Sequence, residues 1–122
     1  MDRKEIETVI QSFFDADYER DADKMEAVFH EGSEFFELGK DGVLVKRSGK
    51  EFAGGMRRFA GIQADYPRAE EILSIEFTGE NTAVARTRMR VRNTLFTDIL
   101  CLMRLDGKWG IIAKIASGVP IG

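Results

Sequence analysis

Asp98 is the residue of this sequence best placed to do chemistry, because it is the one carboxylate in the apolar run Leu95-Phe96-Thr97-Asp98-Ile99-Leu100-Cys101-Leu102. A carboxylate that faces an interior must be paired, protonated or used for chemistry, and its removal from water raises its pKa. So placed, Asp98 could act as a general base or as a neutral hydrogen-bond donor. It could equally anchor a loop or a helix end through hydrogen bonds. His30, the only histidine, is the second candidate. The pattern around it predicts a helix C-terminus, where an imidazolium gains roughly 0.3–1 kcal/mol from the dipole, and it could also be a proton partner for Asp98, as could Tyr18. One histidine, one cysteine and no close ligand cluster do not make a coordination sphere, so no metal is expected. Phosphate loops, dinucleotide fingerprints, Cys-x-x-Cys pairs and nucleophile elbows are absent from the sequence, and no cofactor is expected.

A second group could form the walls of a pocket for a flat apolar ligand: Phe14, Tyr18, Met56, Phe59, Tyr66, Met89, Leu100 and Trp109. At helical or strand spacing the same residue types also make plain core. Arg86, Arg88, Arg90 and Arg92 alternate along one strand. They could bind an anion or nucleic acid, or form a solvated or dimer-rim face paired with Glu76 on the neighbouring strand.

The elements that must position these residues follow from periodicity. Ile6, Val9, Ile10, Phe13, Phe14 and Tyr18 make one apolar stripe, which predicts a helix from Asp2 to about Arg20. A shorter helix should open at Asp21 or Asp23 and run to His30, where Glu31-Gly32-Ser33 breaks the pattern. Strands are expected over 34–38 and 43–47. The Ser48-x-x-Glu51 capping box should open a third helix carrying Phe52, Met56 and Phe59, weakened by Gly54-Gly55. Four strands near 70–78, 82–92, 95–105 and 108–116 complete an α+β order.

Register sets the faces. With the arginines of 82–92 outward, Ala83, Ala85, Thr87, Met89 and Val91 look inward. A two-residue Asn93-Thr94 turn would pair Met89 with Asp98, turning Phe96, Asp98, Leu100 and Leu102 inward. A two-residue Asp106-Gly107 turn would pair Leu102 with Ile111 and Leu100 with Ala113, so Trp109, Ile111, Ala113 and Ile115 also face in. Ile99, Cys101, Met103 and Ile112 remain outside as an apolar patch, which implies a covering partner, most simply a second copy of the chain.

Composition sets outer bounds. The chain has 122 residues, suiting a single domain over 1–122, and its 32% charged and 43% hydrophobic content is that of a globular protein. A net charge of −3 with both signs interspersed argues against a dedicated nucleic-acid or anionic-membrane surface. No apolar run approaches the roughly 18–20 residues of a membrane span, and the N-terminus lacks a signal-peptide core. A cytoplasmic protein is expected.

Three stretches carry a resemblance to a known family: Asp21-Ala22-Asp23-Lys24-Met25-Glu26-Ala27-Val28-Phe29-His30, Phe96-Thr97-Asp98-Ile99-Leu100-Cys101-Leu102, and Asp106-Gly107-Lys108-Trp109-Gly110-Ile111-Ile112-Ala113-Lys114. The chain resembles the nuclear transport factor 2-like superfamily, in its SnoaL-like and lumazine-binding-like branch. The resemblance implies a cone-shaped α+β fold in which three helices pack on the concave face of a curved, mostly antiparallel sheet. It also implies an apolar pocket and pairing through the outer sheet face. Ketosteroid isomerase, of the same superfamily, uses inward carboxylates as base and as donor. Here Glu31-Gly32-Ser33 replaces the Pro-Asp-Ala that often follows Phe-His in the family, so the path after His30 is open. The expectation is a dimeric small-molecule binder. The alternatives are a cofactor-independent isomerase, dehydratase or cyclase using Asp98 as base, and a non-catalytic interaction module.

Overall fold

The computed structural model describes residues 2–62 and 64–121. Helix α1 (Asp2–Glu19) forms where Ile6, Ile10, Phe13 and Phe14 recur on one face, and all four are buried. Helix α2 (Ala22–Val28) starts where the Asp21 carboxylate accepts the Lys24 N–H at 3.0 Å. Helix α3 (Gly49–Gly55) opens on the expected capping box: Glu51 N–H donates to Ser48 Oγ at 3.0 Å, and Ser48 N–H donates to the Glu51 carboxylate at 2.9 Å. It stops at Gly54-Gly55, and Met56–Phe59 continues as a 3-10 turn.

Six strands make one sheet: β1 (Phe29–Leu38), β2 (Leu44–Ser48), β3 (Glu70–Gly79), β4 (Thr82–Val91), β5 (Thr94–Leu105) and β6 (Lys108–Pro120). Their order is β2-β1-β6-β5-β4-β3, with β1–β6 parallel and every other pair antiparallel. The three helices pack on the concave side of this curved sheet. Between the layers lies a core built on Phe13 and Phe14 of α1, Met25 of α2, and Leu100, Leu102 and Ile111 of the sheet. Among the described residues no helix is long and apolar enough to cross a membrane.

Three expectations need correction. The second helix ends at Val28 rather than His30, because Phe29 already has extended geometry (φ −98°, ψ 138°) and pairs with Ile111 of β6. His30 is therefore a strand residue. Glu31-Gly32-Ser33 lies within β1, where Gly32 takes φ +83° and the pairing jumps from Phe29–Ile111 to Glu34–Ala113.

The β4–β5 turn is Arg92-Asn93, so Thr87 rather than Met89 pairs with Asp98. Thr94 is β-branched and favours the strand over the turn, while Arg92 adopts φ 54°. A slip of two residues leaves every side chain on its expected face.

The third correction changes faces. Leu102 pairs with Ile111 as expected, but Cys101 pairs with Ala113 and Leu100 with Lys114, leaving Ile112 as an extra residue in β6. Beyond this bulge the parity of β6 inverts. Lys114 and Ala116 turn inward and are buried, whereas Ile115 is exposed and Ala113 only partly covered.

Candidate functional site

The bulge in β6 brings a lysine to the buried Asp98 carboxylate. Across the inner face, pairing registers align Glu37, Ala116, Asp98, Thr87 and Ile72 in one row, and Phe35, Lys114, Leu100 and Ala85 in the next. Asp98 is 1% exposed and Lys114 4%, and Lys114 Nζ lies 3.7 Å from Asp98 Oδ2. The ammonium is also enclosed by three rings, 3.9 Å from the centroid of Phe35, 4.7 Å from Phe52 and 5.6 Å from Phe13. Burial pushes the Asp98 carboxyl up and the Lys114 ammonium down, and in each the partner's charge opposes the shift. Asp98 Oδ1 and Thr87 Oγ1, on paired positions, have no hydrogen-bond partner among the described residues.

Above this pair is a cavity of about 810 Å³. Phe52, Met56, Tyr66, Val91 and Phe96 supply its apolar walls, and Asp17 from the last turn of α1 supplies a carboxylate. Phe96 and Asp98 are two residues apart on one face of β5, about 7 Å along the strand. Asp98 is not a lining residue; it lies one row further along the inner face of the sheet. Phe52 touches both sides, lining the cavity while stacking on Phe35 (centroids 4.7 Å apart, planes 11° apart) over the Lys114 ammonium. Asp17 is partly buried, and its removal from water raises its pKa to about 6, against the opposing pull of Lys114 and Arg20 and with the support of Asp98 and Glu70.

The residues singled out from the sequence divide by depth. Met56, Phe59 and Tyr66 line the cavity. Phe14, Met89, Leu100 and Trp109 are core. Tyr18 packs edge-on against Tyr66 (centroids 5.5 Å apart), donates its hydroxyl to the Tyr66 carbonyl at 2.9 Å and carries the Arg68 guanidinium over its ring. His30 is remote from Asp98. Its Nε2–H donates to the Met103 carbonyl at 2.8 Å and its ring lies on Gly110 so closely that a Cβ there would stand 2.9 Å from Nε2. Met103 is five residues along β5 from Asp98, about 17 Å.

Two residues of the site, Lys114 and Asp17, were not foreseen. Asp17 carries no sequence signal beyond its place near the end of an amphipathic helix. Lys114 could have been found by asking which cation can reach a buried Asp98, since β6 is the neighbouring strand and Lys114 is a cation near the expected pair.

The chain matches the sequence profile of the family described as "Putative lumazine-binding" over residues 1–116. It belongs to that family. The fold it shares is that of nuclear transport factor 2-like proteins. Such a protein of unknown function from Shewanella baltica OS155 superposes with a TM-score of 0.86 at 20% identity, over 98% of this chain and 94% of that one. Another, from Methylobacillus flagellatus KT, gives 0.80 at 23% identity, over 97% and 92%. A ketosteroid isomerase-like protein from Erwinia carotovora atroseptica SCRI1043 gives 0.73 at 15% identity, over 93% of each chain. No curated protein matches this family member in sequence.

Proposed function

We propose that the protein binds a small organic molecule with an apolar ring body in the cavity between α3 and the end of the sheet that carries Phe96. The observation that supports this is the unfilled space itself: about 810 Å³ bordered by Phe52, Met56, Tyr66, Val91 and Phe96, within the range of small-molecule sites. A neutral naphthylamine dye, N-phenyl-1-naphthylamine, tests it. A Cβ built on Gly55, which lines the cavity, meets nothing within 4 Å, so Gly55→Leu fills the space without disturbing the fold. The dye should bind the wild type saturably and lose its binding in Gly55→Leu, with melting temperature maintained. Equal binding by both proteins would refute the assignment.

Two copies of the chain associate, in this reading, through the outer sheet face. Phe36, Ile115 and Ile99 are aligned there by register across β1, β6 and β5, with Cys101 and Ala113 in the next row. Ile99 is 38% exposed and Ile115 50%. These residues extend the stripe expected from Ile99, Cys101, Met103 and Ile112, and a second identical stripe is its natural complement.

Cofactor-independent isomerase, dehydratase or cyclase chemistry is a second reading, and Asp17 supports it better than Asp98. A general base works best with a pKa near the operating pH, and Asp17, held at about 6, lines the cavity. A rate that rises through pH 6 and disappears in Asp17→Asn would identify that role; a rate unaffected by the substitution would exclude it.

A further inference from the structure

The cavity's charge is opposite in sign to that of the chain. The protein carries a net charge of −3, yet Arg20, Lys46, Arg47, Arg58 and Arg92 border the cavity against only Asp17 and Glu51. Lys46 is spent on Glu34 at 2.8 Å. The four arginines are not ion-paired with any carboxylate among the described residues. Away from the cavity most arginines are paired: Arg57 turns to Asp23, Arg68 to Asp15 and Glu70, Arg88 to Glu71 and Arg104 to Asp2, while Arg86 and Arg90, on the strand face away from it, have no ion pair among the described residues. Of the two acids, Glu51 is already engaged by the backbone N–H of Ser48, which leaves Asp17.

The four cations reach the cavity from separate parts of the fold. Arg20 follows α1, Arg47 lies in β2, Arg58 in the 3-10 turn and Arg92 in the β4–β5 turn. A charge run on one solvated face would not converge in this way. Two of them are also preoriented, since the Arg92 guanidinium lies 5.3 Å from the centroid of Phe59 and that of Arg47 5.7 Å from Phe35. Stacking on a ring face leaves the planar N–H fork, whose geometry matches an oxyanion, open at its edge.

We propose that the ligand of this cavity is an amphipathic oxyanion, a ring compound bearing a carboxylate, sulfonate or phosphate that sits among Arg20, Arg47, Arg58 and Arg92 while the ring occupies the Phe52–Phe96 side. The inference rests on the cavity being a ligand site, as argued above, and adds the chemical class of what enters it.

A pair of dyes separates the two claims. 8-Anilinonaphthalene-1-sulfonate has the same aromatic body as N-phenyl-1-naphthylamine plus one sulfonate. The screening length falls from roughly 30 Å at 10 mM salt to roughly 3 Å at 1 M. The sulfonate dye should therefore bind about fivefold to tenfold more weakly at the higher salt, while the neutral dye should not weaken. In Arg58→Gln/Arg92→Gln at low salt, the sulfonate dye should again lose about fivefold to tenfold, with the neutral dye within twofold of wild type. Arg58 is exposed, so Arg58→Glu alone provides a variant with little risk to folding, and it should weaken only the sulfonate dye. If both dyes bind, are lost in Gly55→Leu, and respond alike to salt and to the arginine variants, the oxyanion inference fails while the cavity assignment stands. If neither dye binds, or neither is lost in Gly55→Leu, the cavity assignment fails and the inference with it.

Discussion

Replacing Asp17 by asparagine should stabilise the protein at neutral pH, and the pH dependence of the gain identifies its cause. The carboxyl has a pKa of about 6 in the fold and an ordinary value of 3.8, so the folded state holds more protons than the unfolded chain between those limits. Stability contributed by this group is therefore full below about 3.8 and is lost as pH rises through about 6. The difference corresponds to at most about 3 kcal/mol, and because Asp17 is only partly buried, solvent screening reduces it to about 1–3 kcal/mol. Asparagine has similar shape and no charge to desolvate. Urea unfolding followed through the single, buried Trp109 should place Asp17→Asn about 1–3 kcal/mol above wild type at pH 8 and level with it near pH 3.8. Asp98 also titrates upward, but it is present in both proteins and largely cancels in the difference. Equal stability at pH 8, or a gain that persists unchanged at pH 3.8, would refute the assignment of a desolvated carboxylate to the cavity.

Other perturbations follow from the same geometry. Lys114→Met and Asp98→Leu should each cost about 3–5 kcal/mol by leaving one buried charge unpaired, whereas the double substitution should come within about 1 kcal/mol of wild type; additive losses in a double-mutant cycle by urea unfolding would show that the pair is not coupled. Gly110→Ala should displace the His30 ring, whose Nε2 lies 2.9 Å from the position of the added Cβ, and break its bond to the Met103 carbonyl, so the imidazole ring resonances and the Met103 and Lys108–Ile111 amide signals should shift in NMR spectra; unchanged ring signals would contradict the contact. Ile99→Asp with Ile115→Asp on the outer face should yield monomers by sedimentation velocity where the wild type is dimeric, and a wild type that sediments as a monomer would remove the proposed interface.

Much of the fold was readable because its determinants are local or periodic. The stripe of α1, the Ser48–Glu51 box and the Asp106-Gly107 turn each fix geometry within a few residues. The slip of the β4–β5 turn did no harm, since two residues preserve parity. The bulge at Ile112 was another matter. Ile111-Ile112-Ala113 is apolar throughout, so either register buries comparable surface and nothing local favours one. The tie is broken at Lys114, which the preference of lysine for solvent points outward and which only the buried Asp98 draws in. The candidate site was therefore seen by half: its carboxylate stood out as an anomaly in an apolar strand, and its lysine looked ordinary on the surface. The cavity rim was illegible for another reason. Arg20, Arg47, Arg58 and Arg92 are far apart in the chain, and only the tertiary fold brings them to one opening.

A ligand should occupy the cavity beneath α3 rather than the apolar outer face of the sheet, and a two-dimensional 1H–15N NMR titration with 8-anilinonaphthalene-1-sulfonate distinguishes the two. Binding in the cavity should give shifts concentrated at Phe52, Gly55, Met56, Arg58, Arg92 and Phe96, saturating together. Shifts concentrated at Phe36, Ile99, Cys101 and Ile115, with the cavity residues unmoved, would contradict it.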